Sequence, residues 1–447
     1  MVLKGVNMIS KISVFGLGKL GCSMLAVFAD KGFQVNGYDL DKKKVLDINE
    51  GKAPVYETGL EGLISKNKSK IRAFSDPDGI LNESQISFII VPTPSKFDDT
   101  FETKYAENAA RTIGQELRDH SDYHVVVLTS TVLPGDSRKI IISILEQESK
   151  KKCGQDFGFC YSPEFIALGS VIEDLQSPDY FLIGQYDEKS GDMLEHVNKK
   201  VASKKSEMCR MTIEEAELAK IATNSYITMK ISFANYMSNL CEKIPGASVD
   251  VVTNAIGRDS RIGSKYLKGG MAYGGPCFPR DNKALGKFAL NLGVKSFIQI
   301  AVDEFNKNYS EVLADRVSSN ILSSNKKIGV LGVSYKPNSH LIEESPSMQI
   351  INRLKQLKCE IYYFDKLQNE FQIDIDSESV IRVNSVGALI SVADVIILAH
   401  NDASLINDVQ IELSKVESKK TVIDCWRILG NENKLKVNIV KIGAGNY

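Results

Sequence analysis

The chain is poor in the residue types that build metal centres. Of its 447 residues only 5 are His, and its 8 Cys stand at positions 22, 153, 160, 209, 241, 277, 359 and 425 without a Cys-x-x-Cys pair. Zinc-type spacing is therefore missing, no metal is expected, and thiols scattered in this way suit a reducing compartment. Neither sign of charge is in excess: 55 Lys and Arg face 56 Asp and Glu, for a net charge of -1. Composition thus offers no footing for nucleic acid or an anionic membrane, and the runs Lys42 to Lys44 and Lys150 to Lys152 read as solvated helix faces. Apolar stretches long enough to span a bilayer are lacking. Met1 to Ser10 lacks the charged start, apolar core and small-residue cleavage site of a secretory signal, so a cytoplasmic location is expected. Low-complexity linkers are absent too, yet the length is enough for two or three domains.

The order of elements at the start is more specific. Lys11 to Phe15 is a β-branched run, followed by Gly16-Leu17-Gly18-Lys19-Leu20-Gly21, an apolar-periodic helix to about Lys31, a second strand Gln34 to Tyr38, and Asp39. Strand, glycine turn, helix, strand and acid, with the acid roughly 20 residues past the glycines, is the full context of a dinucleotide-binding fingerprint. Gly16 permits the tight turn, Gly18 lets a pyrophosphate approach the backbone, and Gly21 allows close helix–strand packing. The helix N-terminus meets the phosphate charge, and Asp39 binds ribose hydroxyls while repelling a 2′-phosphate. NAD is therefore expected as cofactor in preference to NADP.

Further strands end in turn signals: Ile86 to Val91 before Pro92-Thr93-Pro94, His124 to Thr129 before Ser130-Thr131, and Phe157 to Tyr161 before Ser162-Pro163-Glu164-Phe165. Ligands of open α/β sheets bind beyond the carboxyl ends of strands, where Thr131 and Glu164 stand. A turn residue or a helix cap is the plainer explanation of either residue taken alone. At Thr212-Ile213-Glu214-Glu215 a capping box opens a long apolar run to about Lys243, halted by Pro245-Gly246. That is a helix of roughly 30 residues, about 45 Å long. Apolar on more than one side, it suggests a connector that also packs against a second subunit. Glu217, Lys220 and Asn224 share one face of it; a solvated polar face is the ordinary reading, but apolar turns around Asn224 argue for a buried role.

The last third repeats the opening plan. Lys327 to Leu331, Glu360 to Phe364 with Asp365, Ala393 to Ala399 and Thr421 to Asp424 echo the first sheet, but the turn Gly332-Val333-Ser334-Tyr335-Lys336 lacks the three-glycine pattern. The expected fold is α/β: two Rossmann-like doubly wound domains joined by a long central helix and a small helical dimerisation region. The expected boundaries are 1–205 for dinucleotide binding, 206–310 for the helical and catalytic-loop part, and 311–447 for a second nucleotide-type ligand. In that last part Lys336 is placed to meet a phosphate.

Cys277 lies in Gly274-Gly-Pro-Cys-Phe-Pro-Arg-Asp281, ahead of a helix through Asn282 to Leu290, with Pro279 in its first turn. A thiol near the positive end of a helix is biased toward the nucleophilic thiolate. A buried cysteine acting as a small hydrophobe is the alternative. A nucleophilic sulfur beside a hydride acceptor can carry an alcohol past the aldehyde to the acid.

Taken in order, these landmarks resemble the UDP-glucose/GDP-mannose dehydrogenase family along nearly the whole chain. They comprise the Gly16–Gly21 turn, Gly51-Lys-Ala-Pro-Val-Tyr-Glu-Thr-Gly-Leu60, Val91-Pro-Thr-Pro94, Ser130-Thr131, Ser162-Pro-Glu-Phe165, Glu217-Leu-Ala-Lys220 with Asn224, Arg261-Ile-Gly263, Gly274 to Asp281, and Tyr335-Lys336 with Glu344-Ser345-Pro346. Arg261-Ile-Gly263 and Cys-Phe-Pro look more like the UDP-glucose branch than the GDP-mannose or UDP-N-acetylhexosamine branches. The resemblance implies two successive NAD-dependent oxidations at C6 of a UDP-sugar, through a thiohemiacetal and a thioester on Cys277.

It further implies Lys220 with Asn224 at the oxyanion, Asp281 positioning water or acting as base, and Glu164 with Thr131 as base. Cofactor contacts fall to Lys19, Leu20, Thr93 and Thr131 besides the glycines and Asp39. Substrate contacts fall to Glu164, Phe165, Lys220, Asn224, Tyr266, Leu267, Gly274 and Lys336, with Lys268 in the same loop. A homodimer is implied, with Arg261 reaching the partner's site. The sequence departs from the family at Asp98-Asp99-Thr100, at Pro276, at Arg280 in place of the commoner lysine, and at Glu343 in place of an arginine.

Overall fold

The short β-branched runs become the central strands of two sheets, each buried on both faces. In this computed structural model residues 9–166, 169–319, 327–367, 375, 379–417, 419–429 and 435–445 are described. The chain divides into two units, Met1–Ala222 and Thr223–Tyr447. The division falls inside one helix, Ile213–Cys241, of 29 residues.

In the first unit the strands are β1 (Lys11–Phe15), β2 (Gln34–Tyr38), β3 (Ile71–Phe74), β4 (Ile86–Ile89), β5 (His124–Leu128), β6 (Phe157–Tyr161), β7 (Tyr180–Gln185) and β8 (Glu207–Thr212). Their spatial order is β3-β2-β1-β4-β5-β6-β7-β8. The strands from β3 across to β6 run parallel. β7 is antiparallel to β6, and β8 is parallel to β7. Alternate residues feed opposite cores: Ile12, Val14, Phe88, Val125 and Val127 on one face, Phe15, Ile89, Val126, Leu128 and Phe159 on the other. Period-two burial on both sides makes these strands almost wholly apolar in sequence.

The second unit holds β9 (Lys327–Leu331), β10 (Glu360–Phe364), β11 (Val380–Arg382), β12 (Val395–Leu398), β13 (Thr421–Asp424) and β14 (Asn438–Lys441). Their order is β11-β10-β9-β12-β13-β14, and every pairing is parallel. This is the doubly wound order of the expected Rossmann-like fold, present in both units. β4 and β12 are shorter than their apolar runs, Ile86 to Val91 and Ala393 to Ala399. Pro92 removes a ladder donor just past β4.

The helix Ile213–Cys241 opens with the expected capping box. Thr212 N–H donates to Glu215 Oε2 at 2.8 Å, and Glu215 N–H donates back to Thr212 Oγ1 at 3.3 Å.

Candidate active site

The glycine turn of the first unit has room for a ligand at one position only. Gly16 has φ +99°, and a Cβ there would lie 2.2 Å from the Ile90 carbonyl oxygen. A Cβ on Gly21 would lie 1.8 Å from the Gly16 carbonyl oxygen, whereas one on Gly18 would meet nothing within 4 Å. Two glycines are thus required for packing, and the third leaves an open approach to the backbone. The helix Lys19–Asp30 begins there with no side-chain cap, so its first amides are offered to an anion. Asp39 follows β2. Its Oδ2 accepts from Leu17 N–H at 2.8 Å, its Oδ1 accepts from Asp41 N–H at 2.9 Å, and the Lys44 ammonium stands 3.5 Å away. Lys19 and Leu20 are half-buried in the same turn. Burial holds the Lys19 pKa below its ordinary value, with Glu57 acting the other way. These residues fit a dinucleotide.

The loops beyond β4 and β5 are tied together. Ser130 Oγ accepts from Val91 N–H at 2.9 Å and donates to the Val91 carbonyl at 2.7 Å. This fixes the loops that carry Thr93, which is buried, and Thr131, which is half-buried. Past β6, the Glu164 carbonyl accepts from Lys220 Nζ at 2.5 Å, and the same ammonium lies 4.3 Å from the Phe165 ring centroid. The Glu164 carboxyl is pushed up to about 7 by burial, with the Lys220 charge acting against the shift. Glu164, Phe165 and Lys220 are therefore brought together within one unit.

Glu217, on the same helix face, is not solvated: its exposure is 0%. Its Oε2 accepts from Gly135 N–H at 2.6 Å and its Oε1 from Ser137 N–H at 2.9 Å. It holds the backbone of the loop that follows Thr131. Helical spacing marked its face, but only the fold supplies the two amides.

The candidate thiol lies in the second unit. Cys277 is exposed, and it is the residue from which the helix Phe278–Asn291 starts, with Pro279 in the first turn. Its carbonyl accepts from Asp281 N–H at 2.8 Å. Asp281 is 0% exposed. Its Oδ2 accepts from Asn224 Nδ2 at 2.6 Å, and its Oδ1 accepts from Arg280 Nε at 2.8 Å. A Cβ on Gly274 would lie 2.1 Å from the Glu344 carbonyl oxygen, and one on Gly275, where φ is +82°, would lie 2.5 Å from the Tyr335 ring. The glycines hold the thiol loop against the segment after β9. Asn224 thus has its buried role, as a donor to Asp281.

The other expected residues are less enclosed. Arg261 pairs with Asp259 at 2.6 Å and has a side chain 87% exposed. Tyr266 has φ +61°, and its ring centroid lies 5.9 Å from that of Phe278 at the thiol helix. Leu267 is buried, Lys268 is exposed, and Lys336 is half-buried with Nζ 5.7 Å from the Tyr335 ring centroid. Arg280 and Tyr335 line the thiol loop and were not among the expected site residues; Arg280 registers in the sequence only as a departure from the family pattern.

The match to known proteins spans these features. Residues 10–202 match the NAD binding domain of the UDP-glucose/GDP-mannose dehydrogenase family, 214–308 its central domain, and 329–431 its UDP binding domain. GDP-mannose 6-dehydrogenase of Pseudomonas aeruginosa is 30% identical over 428 residues, covering 93% of this chain and 96% of that protein. UDP-glucose 6-dehydrogenase TuaD of Bacillus subtilis is 33% identical over 360 residues, covering 80% of this chain and 76% of that protein. A solved UDP-glucose dehydrogenase from Pyrobaculum islandicum superposes with a TM-score of 0.87 at 28% identity, covering 100% of both chains. A glycine turn shaped for a dinucleotide, a second doubly wound sheet and a thiol at a helix start define an NAD-dependent dehydrogenase of nucleotide sugars. The chain belongs to the UDP-glucose/GDP-mannose dehydrogenase family.

Proposed function

We propose that the chain oxidises UDP-glucose to UDP-glucuronate by removing four electrons from C6. The observation that carries this reading is the exposed Cys277 thiol at the start of a helix, one turn ahead of a buried carboxylate. The UDP binding domain match and the similarity to a UDP-glucose dehydrogenase over the full chain support the choice of nucleotide sugar.

NAD would be held by the Gly16–Gly21 turn and Asp39 and would supply the hydride acceptor for both oxidations at C6. Glu164, assisted by Thr131, takes the hydroxyl proton, and a carboxyl whose pKa is about 7 suits that task. The Cys277 thiolate then bonds to the aldehyde carbon, and the former carbonyl oxygen gains a proton to give a thiohemiacetal. Loss of that proton and of the remaining hydride leaves a thioester. Water positioned by Asp281 adds to the carbonyl, the carbon–sulfur bond breaks, sulfur departs as thiolate and the carboxylate is released. Lys220, with Asn224, stabilises the oxyanions of these steps.

The functional unit we propose is a homodimer. Tyr226, Phe233 and Leu240 are exposed along the central helix at seven-residue intervals, a spacing suited to a second copy of the same helix. Arg261, solvent-facing in one chain, reaches the partner's sugar site in this reading. Light scattering on the purified protein tests the dimer.

The decisive experiment is a panel of UDP-glucose, GDP-mannose and UDP-N-acetylhexosamines, with NADH counted and product mass measured. Two NADH per UDP-glucose, and no uronate from Cys277→Ser while the nucleotide sugar still binds, are expected. Faster turnover of GDP-mannose would move the substrate to that branch, which similarity to GDP-mannose dehydrogenases also supports. One NADH per sugar sinks the thioester route.

A further inference from the structure

Two loops of the first unit, those beyond β5 and β6, are tied to neighbouring turns of one helix. Lys220 Nζ donates to the Glu164 carbonyl beyond β6 at 2.5 Å. Glu217, one turn earlier on the helix Ile213–Cys241, reaches the loop beyond β5. Its two oxygens accept from Gly135 N–H at 2.6 Å and from Ser137 N–H at 2.9 Å, and its exposure is 0%. The other end of that loop is fixed by Ser130, whose hydroxyl meets both the N–H and the carbonyl of Val91. In between, Leu133 N–H donates to Asp136 Oδ2 at 3.1 Å, and Gly135 has φ +94°. Thr131 thus stands in a short loop pinned at both ends, and its hydroxyl takes no part in these bonds.

A carboxylate is an unusual side chain to bury there. Two backbone amides, not a cation, meet its charge. Burying a charge in this way costs free energy that an apolar side chain would not. What only a carboxylate offers is two acceptor oxygens in a fixed fork. Ser137 opens the helical turn Ser137–Ile142, which has no side-chain cap of its own, and its amide lacks a partner within that turn. A glutamine at 217 would have the same shape but a single acceptor. Its amide nitrogen would face one of the two N–H groups and leave a buried donor unmatched.

We propose that Glu217 is a positioning residue for the oxidation: it fixes the Thr131 loop one helical turn from Lys220, and so keeps the Thr131 hydroxyl in register with Lys220 and Glu164. This rests on the reading in which Thr131 assists Glu164 as base. A shift of about 1 Å in a positioned group can cost about a hundredfold in rate, so a loosened loop shows in kcat before it shows in folding.

The test is a double-mutant cycle on the full-length protein: Glu217→Gln, Thr131→Val and both together. The readouts are kcat and KM for the nucleotide sugar turned over fastest, followed by NADH production, and the thermal midpoint. Thr131→Val keeps the side-chain shape without the hydroxyl and should lower kcat at least about tenfold. Glu217→Gln should lower kcat about five- to twentyfold, with KM within about threefold of wild type. The double variant should lie within about threefold of Thr131→Val alone, because a loop with no hydroxyl to present has nothing left to misplace. A merely structural Glu217 would not lose its effect in that background. Glu217→Asp goes through the same cycle: it keeps the charge, withdraws it by one methylene, and carries the test if the Gln variant does not fold. If the losses of kcat multiply, or if they follow the thermal midpoint, the proposal is overturned. Should Thr131→Val alone stay within about threefold of wild type, Thr131 has no part in the reaction and the proposal falls with that reading. The single variant tells this failure apart from additivity in the cycle.

Discussion

The two doubly wound sheets use the same turn for opposite purposes. Gly16 N–H donates to the Tyr38 carbonyl at 2.8 Å, and Gly332 N–H donates to the Phe364 carbonyl at 2.9 Å. The two glycines have φ +99° and +94°. An acid follows the second strand in each case. Asp39 takes a single turn amide, that of Leu17. Asp365, 3% exposed, gives Oδ2 to Val333 N–H at 2.9 Å, Ser334 N–H at 3.1 Å and Ser334 Oγ at 2.9 Å. The first acid gives its glycine turn one bond and meets Asp41 N–H and Lys44 with the rest of its carboxylate; the second gives three bonds to its own loop. One backbone design thus serves as a cofactor cradle or as a structural joint, depending on a few side chains.

Valine at each turn glycine gives the largest expected difference. A Cβ at Gly16 meets the Ile90 carbonyl, so Gly16→Val should destabilise the first unit and weaken NADH binding at least about 100-fold, near 3 kcal/mol. A Cβ at Gly332 lies 2.2 Å from the His400 ring, so Gly332→Val should instead unfold the second unit early. The chain has 1 Trp, and Trp426 Nε1 donates to the Ala399 carbonyl at 2.7 Å, which makes its fluorescence a reporter of that unit. Equal loss of NADH binding in both variants would break the comparison.

Asp365→Ala should cost about 1–3 kcal/mol by leaving the buried donors of Val333 and Ser334 unmatched. Denaturant titration of Trp426 fluorescence checks this, with NADH affinity unchanged. A smaller effect comes from pH. With Glu164 at about 7, kcat/KM should rise with pH up to that value and fall about tenfold per unit below it, because the base must be ionised. Glu164→Gln should lower activity and flatten that limb; an unchanged profile would remove Glu164 from the role. Least disruptive is Asp39→Asn, whose amide oxygen still meets Leu17 N–H. It should raise NADP use relative to NAD roughly three- to tenfold, with stability within about 0.5 kcal/mol. Ratios of kcat/KM for the two cofactors read it out.

Much of this site is legible in the sequence because glycine and proline are punctuation with few physical meanings. The Gly16–Gly21 turn, the capping box at Thr212 and the helix start at Cys277 each lie where residue chemistry puts them. Elements with weaker signals are less legible. β3, β7, β8, β11 and β14 are short or lie toward the sheet edges, and their pairing depends on neighbours far along the chain. Glu217 shares a polar helix face with Lys220 and Asn224, and spacing alone reads such a face as solvated. Its carboxylate is buried because the amides of Gly135 and Ser137 arrive from 80 residues away, a meeting that helical periodicity does not encode.

The linear order of residues determined the two nucleotide-type folds, the NAD turn and the presence of a thiol at a helix start, since these rest on local backbone preferences. Which charges stand against that thiol was decided only when the chain folded. Asp281 receives Asn224 on one oxygen and Arg280 on the other, and the thiol loop is tied by its backbone to the segment after β9, where the Glu343 carbonyl accepts from Gly275 N–H. Electrostatic partners are chosen by distance in space, and distance in space is what a sequence does not carry.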